Sequence, residues 1–133
     1  MSELTTQYSK FVDTLLSEPS SNYDSFSSRL DTLNSQFQVE RLLTSCIGIS
    51  AEAGEFMEIM KKIIFQGKEW NEENEFHIKR ELSDIIFYLQ TACLALNIDL
   101  DDVIKMNIEK LEARYPGGKF DVHYSENRKE GDL

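Results

Sequence analysis

Between Pro19 and Pro116 the chain contains no proline, and apolar residues recur there every three or four positions. This pattern restricts the fold more than any other feature, because it admits long amphipathic helices and leaves no segment of sustained strand alternation. Two prolines and six glycines in 133 residues are too few breakers to cut the chain into many short elements. An all-α fold is therefore expected. The length suits one domain with one core.

Taken in order, Tyr8, Phe11, Val12, Leu15 and Leu16 predict a first helix over Thr5–Leu16. The run Ser17-Glu-Pro-Ser-Ser-Asn22 breaks that pattern and is expected to be a loop. A short helix follows over Tyr23–Leu33, with Phe26 and Leu30 on one side. Residues 1–36 thus form a helical arm whose aromatic residues favour docking on the body or on another subunit. The first long helix is predicted from Phe37 to Ile64, closed by Gly67 in a left-handed cap. Lys61, Lys62 and Lys68 cluster near its end, where they complement the helix dipole or hold phosphate. The second long helix is predicted from Glu72 to Leu96. A third runs from an Asp99 N-cap to Arg114, with Val103, Ile104, Met106, Ile108 and Leu111 inside. Tyr115-Pro-Gly-Gly118 stops it, which sets core helices over 37–114 and a polar tail over 115–133. The polar residues from Lys119 to Leu133 are expected to be extended or mobile.

Charge narrows the class of partner. The 24 acidic residues outnumber 14 basic ones, for a formal net charge of -10. That balance argues against nucleic acid as a partner, since phosphate backbones need a basic face. A small phosphorylated substrate stays open, because a bound metal inverts the local field. No apolar run is long enough to span a membrane and no signal peptide is evident, so a cytoplasmic protein is expected. Cys46 and Cys93 lie in apolar helical contexts and are expected to be buried free thiols.

Two short acidic motifs carry the chemistry: Glu52-Ala-Gly-Glu55 and Glu81-Leu-Ser-Asp84. Residues three apart share a helix face, so each motif aims two carboxylates in one direction. Charged residues on helices usually form a solvated face. Here Ala51, Ala53 and Phe56 flank the first pair, Glu58 extends its row, and Ile85-Ile-Phe-Tyr88 follows Asp84 directly. If the two helices pack side by side, the four acids need protons, basic partners or a hard cation. All-oxygen ligands suit magnesium, manganese or calcium rather than zinc. The Glu-x-x-His pairs of a di-iron bundle are absent, because Asn74 and Phe120 stand three residues before His77 and His123. No nucleophile–histidine pairing and no glycine-rich phosphate loop is present. His77, four residues before Glu81, is within reach of it and reads as a surface or supporting residue.

The segments Glu52–Glu58, Phe65-Gln-Gly-Lys68, Glu81–Tyr88 and Lys110–Gly118 resemble the MazG-like nucleoside triphosphate pyrophosphohydrolases. These belong to the all-α NTP pyrophosphatase superfamily, with the dimeric dUTPases and dCTP pyrophosphatases. The resemblance covers residues 37–128 and is strongest to the short single-domain versions of phages and some bacteria, so a host cytoplasm is the expected location if the chain is phage-encoded. It implies a helical bundle assembled as a dimer or tetramer. It also implies a Mg2+-dependent enzyme, with Mn2+ as substitute, that cleaves the α–β phosphate bond of (d)NTPs to (d)NMP and pyrophosphate. The family signature Glu-Glu-x-x-Glu is met except at its first position, where this chain has Ala51. By that resemblance Glu52, Glu55, Glu81 and Asp84 are the metal-ligating and catalytic acids, with Glu58 the nearest substitute for the missing one. Lys62, Lys68, Lys110 and Arg114 are candidates to hold phosphate, or else surface cations. Trp70, Tyr88 and Phe37 are candidates to stack on the base, with Gln36 or Gln38 bonding to it, and Trp70 is preferred. The competing readings are a non-catalytic helical oligomer that binds nucleotide or metal, and a structural bundle with a solvated acidic face.

Overall fold

The computed structural model describes residues 2–128. Among the described residues seven helices follow one another: α1 (Glu3–Leu15), α2 (Glu18–Ser21), α3 (Tyr23–Asn34), α4 (Val39–Gln66), α5 (Glu72–Leu96), α6 (Leu100–Arg114) and α7 (Val122–Glu126). There is no strand among the described residues, and the fold is all-α.

Local chemistry sets the ends. Ser2, Asn22, Asn71 and Asp99 each accept a backbone N–H in the first turn of the helix they precede. Gly67 closes α4 at φ 70°, a left-handed conformation that glycine adopts without a Cβ penalty. Asn97 closes α5 in the same region at φ 53°, and the N–H of Ile98 returns to the Cys93 carbonyl at 3.0 Å. Two short elements differ from the sequence expectation. Ser17–Asn22 contains the single turn α2, because Pro19 lies in its first turn, where its missing N–H costs no hydrogen bond. The tail is not extended throughout, because Asp121 caps α7 by accepting the His123 N–H. Positions 129–133 of the expected tail lie outside the described residues.

The centre of the molecule is the antiparallel pair α4 and α5. The Ser45 hydroxyl donates to the Tyr88 carbonyl at 2.6 Å, and the Gln38 N–H donates to the Ala95 carbonyl at 3.2 Å. Ser45 is fully buried at this crossing. Gly48 faces the Tyr88 ring so closely that a Cβ there would overlap the ring atoms. The arm touches this pair through α3 on α4, while α2 packs mainly on α3.

Side chains expected inside are often outside. Among the described residues only Cys93 and Ala95 are buried hydrophobics. On α6, Ile104, Met106, Ile108 and Leu111 are all exposed, because α6 touches the other helices only marginally. Cys46 is exposed on α4, contrary to the expected buried thiol, whereas Cys93 is buried; both are free. The chain exposes 10778 Å². A compact monomer of 15.4 kDa exposes roughly 7,200 Å².

The α4–α5 contact yields a paired test. Gly48→Ala is expected to destabilise the fold, since overpacking a tight contact costs about 1–3 kcal/mol against a helix-propensity gain of at most about 1 kcal/mol. Gly54, one and a half turns further along α4, meets nothing within 4 Å. Gly54→Ala is expected to stabilise by up to about 1 kcal/mol. Urea unfolding of the two variants reads the opposite signs directly.

Candidate functional site

The acidic motifs sit on α4 and α5, with Glu52 and Glu81 about two turns from the Ser45–Tyr88 contact. Antiparallel packing that brings Ser45 to Tyr88 also brings Glu52 to Glu81, because each is seven residues further from that contact and seven residues return to the same helix face. One oxygen each of Glu52, Glu55 and Glu81 lie within 4.8 Å of one another. Glu81 is buried, Glu52 half-buried and Glu55 exposed, so the cluster opens from the helix seam toward solvent. Asp84 is half-buried one turn further along α5 and stands outside this trio.

Electrostatics make the cluster costly in its bare state. Partial desolvation holds the Glu52 carboxyl above the usual carboxylate range. The Glu55 charge, a hydrogen bond with Glu81, and the charges of Asp84 and Glu81 push it the same way. A hydrogen bond between two carboxyl groups requires a proton on one of them. A cation in its place would satisfy the same oxygens without that proton. The donor set is all-oxygen and anionic, which fits a hard divalent ion. Opposed oxygens around an ion with 2.0–2.6 Å bonds stand about 4–5 Å apart, so three oxygens within 4.8 Å of one another are close enough to share one ion.

Glu58 does not join the acids. Its two oxygens bind Lys61 and, at 3.2 Å, Lys62. Hydrogen bonds from those lysines hold its carboxyl below the usual range against a desolvation effect of opposite sign. The expectation that Glu58 replaces the acid missing at Ala51 is thereby corrected: the lysines one turn on neutralise it. Ala51 itself is exposed.

Beside the trio lies an open pocket of about 280 Å³ lined by Glu55, Glu58, Ile59, Lys62, Lys68, His77 and Glu81. Acidic and basic side chains thus line it together, and one of the lysines, Lys62, is paired with Glu58. Lys62 comes from the last turns of α4 and Lys68 from the loop just past the Gly67 cap. Trp70 is in the same loop with 57% of its surface exposed. His77 reaches the pocket from α5, with its Nε2 3.7 Å from Glu73. The remaining candidates stand elsewhere. Lys110 lines an apolar groove between α5 and α6, and Arg114 is half-buried at the end of α6. Tyr88 spends its ring on Gly48 and meets Phe87 edge-on at 5.2 Å. Phe37 is half-buried and Gln36 and Gln38 are exposed at the entry to α4.

Asn74 is a residue that sequence reasoning passed over. It is buried at 3% exposure, and its amide donates to the Glu69 carbonyl at 2.6 Å. That bond ties the loop carrying Lys68 and Trp70 to the first turn of α5. The signal was the Asn71-Glu-Glu-Asn74 spacing, in which the first asparagine caps the helix and the second sits one turn inside it.

Comparison with known families gives one match: the MazG nucleotide pyrophosphohydrolase domain, over residues 40–118. No curated protein and no solved structure matches the chain.

The cluster sets the sign of two measurements. A carboxyl whose folded pKa is raised binds its proton more tightly in the folded state. Metal-free stability is therefore expected to fall as pH rises from the unfolded Glu52 pKa through its folded one, and Glu52→Gln is expected to flatten that slope. Divalent cation is expected to raise Tm at neutral pH, by the equivalent of about 2.7 kcal/mol at a hundredfold excess over Kd. In Glu52→Gln and Glu81→Gln that gain should shrink or vanish. Thermal melts with and without Mg2+ or Mn2+ check both.

Proposed function

The chain belongs to the MazG nucleotide pyrophosphohydrolase family, and from that premise we propose that it is a Mg2+-dependent enzyme cleaving the α–β phosphate bond of (d)NTPs to give (d)NMP and pyrophosphate. The observation that carries this reading is a carboxylate trio opening beside a lysine-bearing pocket. Such an arrangement handles a polyanion at one end and a hard cation at the other.

Glu52, Glu55, Glu81 and Asp84 are assigned the metal, with Mg2+ the physiological ion and Mn2+ a substitute. A divalent ion there supplies neutralisation of phosphate charge and activation of water. The chain's own residues do the rest. Glu81, buried on the α5 side, fixes one wall of the site. Glu55, exposed at the mouth, or Glu52 is placed to orient or deprotonate the attacking water. Lys62 and Lys68 hold the outer phosphates, whose charge they match across the pocket. Trp70 stacks on the base, an energetic use for an indole otherwise left in solvent. Tyr88 serves the α4–α5 contact more directly than a base. Lys110 and Arg114 act on the triphosphate only where an α6 is brought over the pocket by a second copy. Trp70 and the two lysines depend on Asn74, which holds their loop.

We assign residues 1–133 to one domain working as a homodimer or homotetramer, with no nucleic-acid or membrane partner. The accessible surface exceeds that of a compact monomer by roughly 3,600 Å² per chain, more than the about 1,000–2,500 Å² that obligate interfaces remove from each partner. No described helix is long and apolar enough to cross a membrane. The two free thiols suit a reducing cytoplasm. An alternative reading, a nucleotide- or metal-binding oligomer without turnover, draws on Ala51 at the first signature position.

Incubation with each NTP and dNTP in Mg2+ is expected to yield monophosphate and pyrophosphate in equal amounts. Glu81→Gln should lower kcat at least about a hundredfold, near 3 kcal/mol of barrier. Orthophosphate as the product would refute the cleavage site. Tight nucleotide binding in calorimetry with no product from any nucleotide would establish the non-catalytic alternative.

A further inference from the structure

The helix α1 is the most sharply amphipathic element of the chain and lies outside the matched family domain. Leu4, Tyr8, Phe11, Val12 and Leu15 fall at i, i+4, i+7, i+8 and i+11, which is a single stripe. All five are exposed, Leu4 at 76% and Leu15 at 68%. In its own chain α1 packs on no other helix beyond marginal contact. A helix of 13 residues is marginal in water by itself, so an apolar stripe of this kind stays folded by lying on something.

Three considerations select the occupant. A membrane surface is disfavoured, since α1 carries one Lys10 against Glu3 and Asp13 in a chain of net charge -10. The surface excess of roughly 3,600 Å² per chain over a compact monomer is ample for a second copy, since obligate interfaces bury about 1,000–2,500 Å² on each partner. A seat of the right character is vacant: an apolar groove of about 430 Å³ between α5 and α6, lined by Leu89, Leu100, Val103, Ile104 and Ile108. Its charged member is Lys110, opposite in sign to the two acids of α1.

We propose that α1 is an exchange arm that lays its Leu4–Leu15 stripe into the α5–α6 groove of a second copy of this chain, which returns its own α1 in the same way. The exchange is a helix-in-groove contact made twice by one two-fold operation. It rests on the oligomeric reading above and is independent of the reaction assigned to the acids. It also turns α6 from a helix with a bare apolar side into the floor of an interface.

The test uses the full chain. Tyr8 is replaced by the photo-crosslinker p-benzoylphenylalanine in isotopically heavy chains, which are mixed with light chains, irradiated and digested. Heavy–light peptides joining position 8 to α5 or α6 are the expected product. Crosslinks confined to one chain, crosslinks to another surface, or none would overturn the proposal. Independently, Tyr8→Glu with Phe11→Glu, and separately Ile104→Glu, are expected to weaken self-association at least tenfold in sedimentation. Combining them should give little more than either alone. Unchanged association in the arm variant would overturn the arm, and unchanged association in Ile104→Glu would overturn the groove. A wild-type chain sedimenting as a 15.4 kDa monomer would sink the oligomeric reading itself, while pyrophosphate release by that same sample would leave the enzymatic one standing.

Discussion

The close approach of α4 and α5 decides where every functional side chain stands. Gly48 lets the Tyr88 ring lie where any other residue would put a Cβ, and the Ser45 hydroxyl fixes the height of the crossing on the Tyr88 carbonyl. Seven residues along each helix from that lock, the same faces meet again as Glu52 and Glu81. The seam that orders the apolar half thus imposes the encounter of the acids. A shift of one residue on either helix would turn one member of the pair by about 100° away from the other.

That imposed encounter stores electrostatic cost. Three carboxylate oxygens within 4.8 Å are tolerated only with a shared proton or a cation. The raised Glu52 carboxyl shows the strain of the bare cluster. Nearby, Glu58 shows the opposite solution, since Lys61 and Lys62 neutralise it within one turn. The contrast is informative: of the four glutamates gathered here, the paired one is stabilised as an anion, while the trio has no ion pair with a basic side chain among the described residues. The pocket beside the trio also carries Lys62 and Lys68, a mixed lining suited to a substrate that brings its own negative charge.

The molecule is also short of interior. Two buried hydrophobic residues among those described are far too few to offset the chain entropy of so many ordered residues. The apolar sides of α1 and α6 face outward, and the free surface carries the deficit. Stability and assembly are therefore one problem for this chain, and the site on α4–α5 inherits its rigidity from whatever covers those sides.

The sequence by itself determined the local features. The helix cap at Asp99, the left-handed stop at Gly67 and the bounds of α5 follow from short-range chemistry that a few residues carry entirely. Spacing also paired Glu52 with Glu55, because residues three apart share a face whatever the helix packs against. It misjudged α2 and α7, single turns whose formation hangs on one proline or one cap. It misjudged Met106, Ile108 and Cys46, because periodicity reports which side of a helix is apolar and says nothing of whether that side finds a cover within the same chain. The pairing of Glu58 with Lys61 and Lys62 is local too, three and four residues apart on one helix. Only the tertiary structure decided that Glu81 is buried beside Glu52 and that both meet Glu55. Those outcomes depend on the register between two helices, which one long-range hydrogen bond and one missing Cβ set, and no local pattern encodes it.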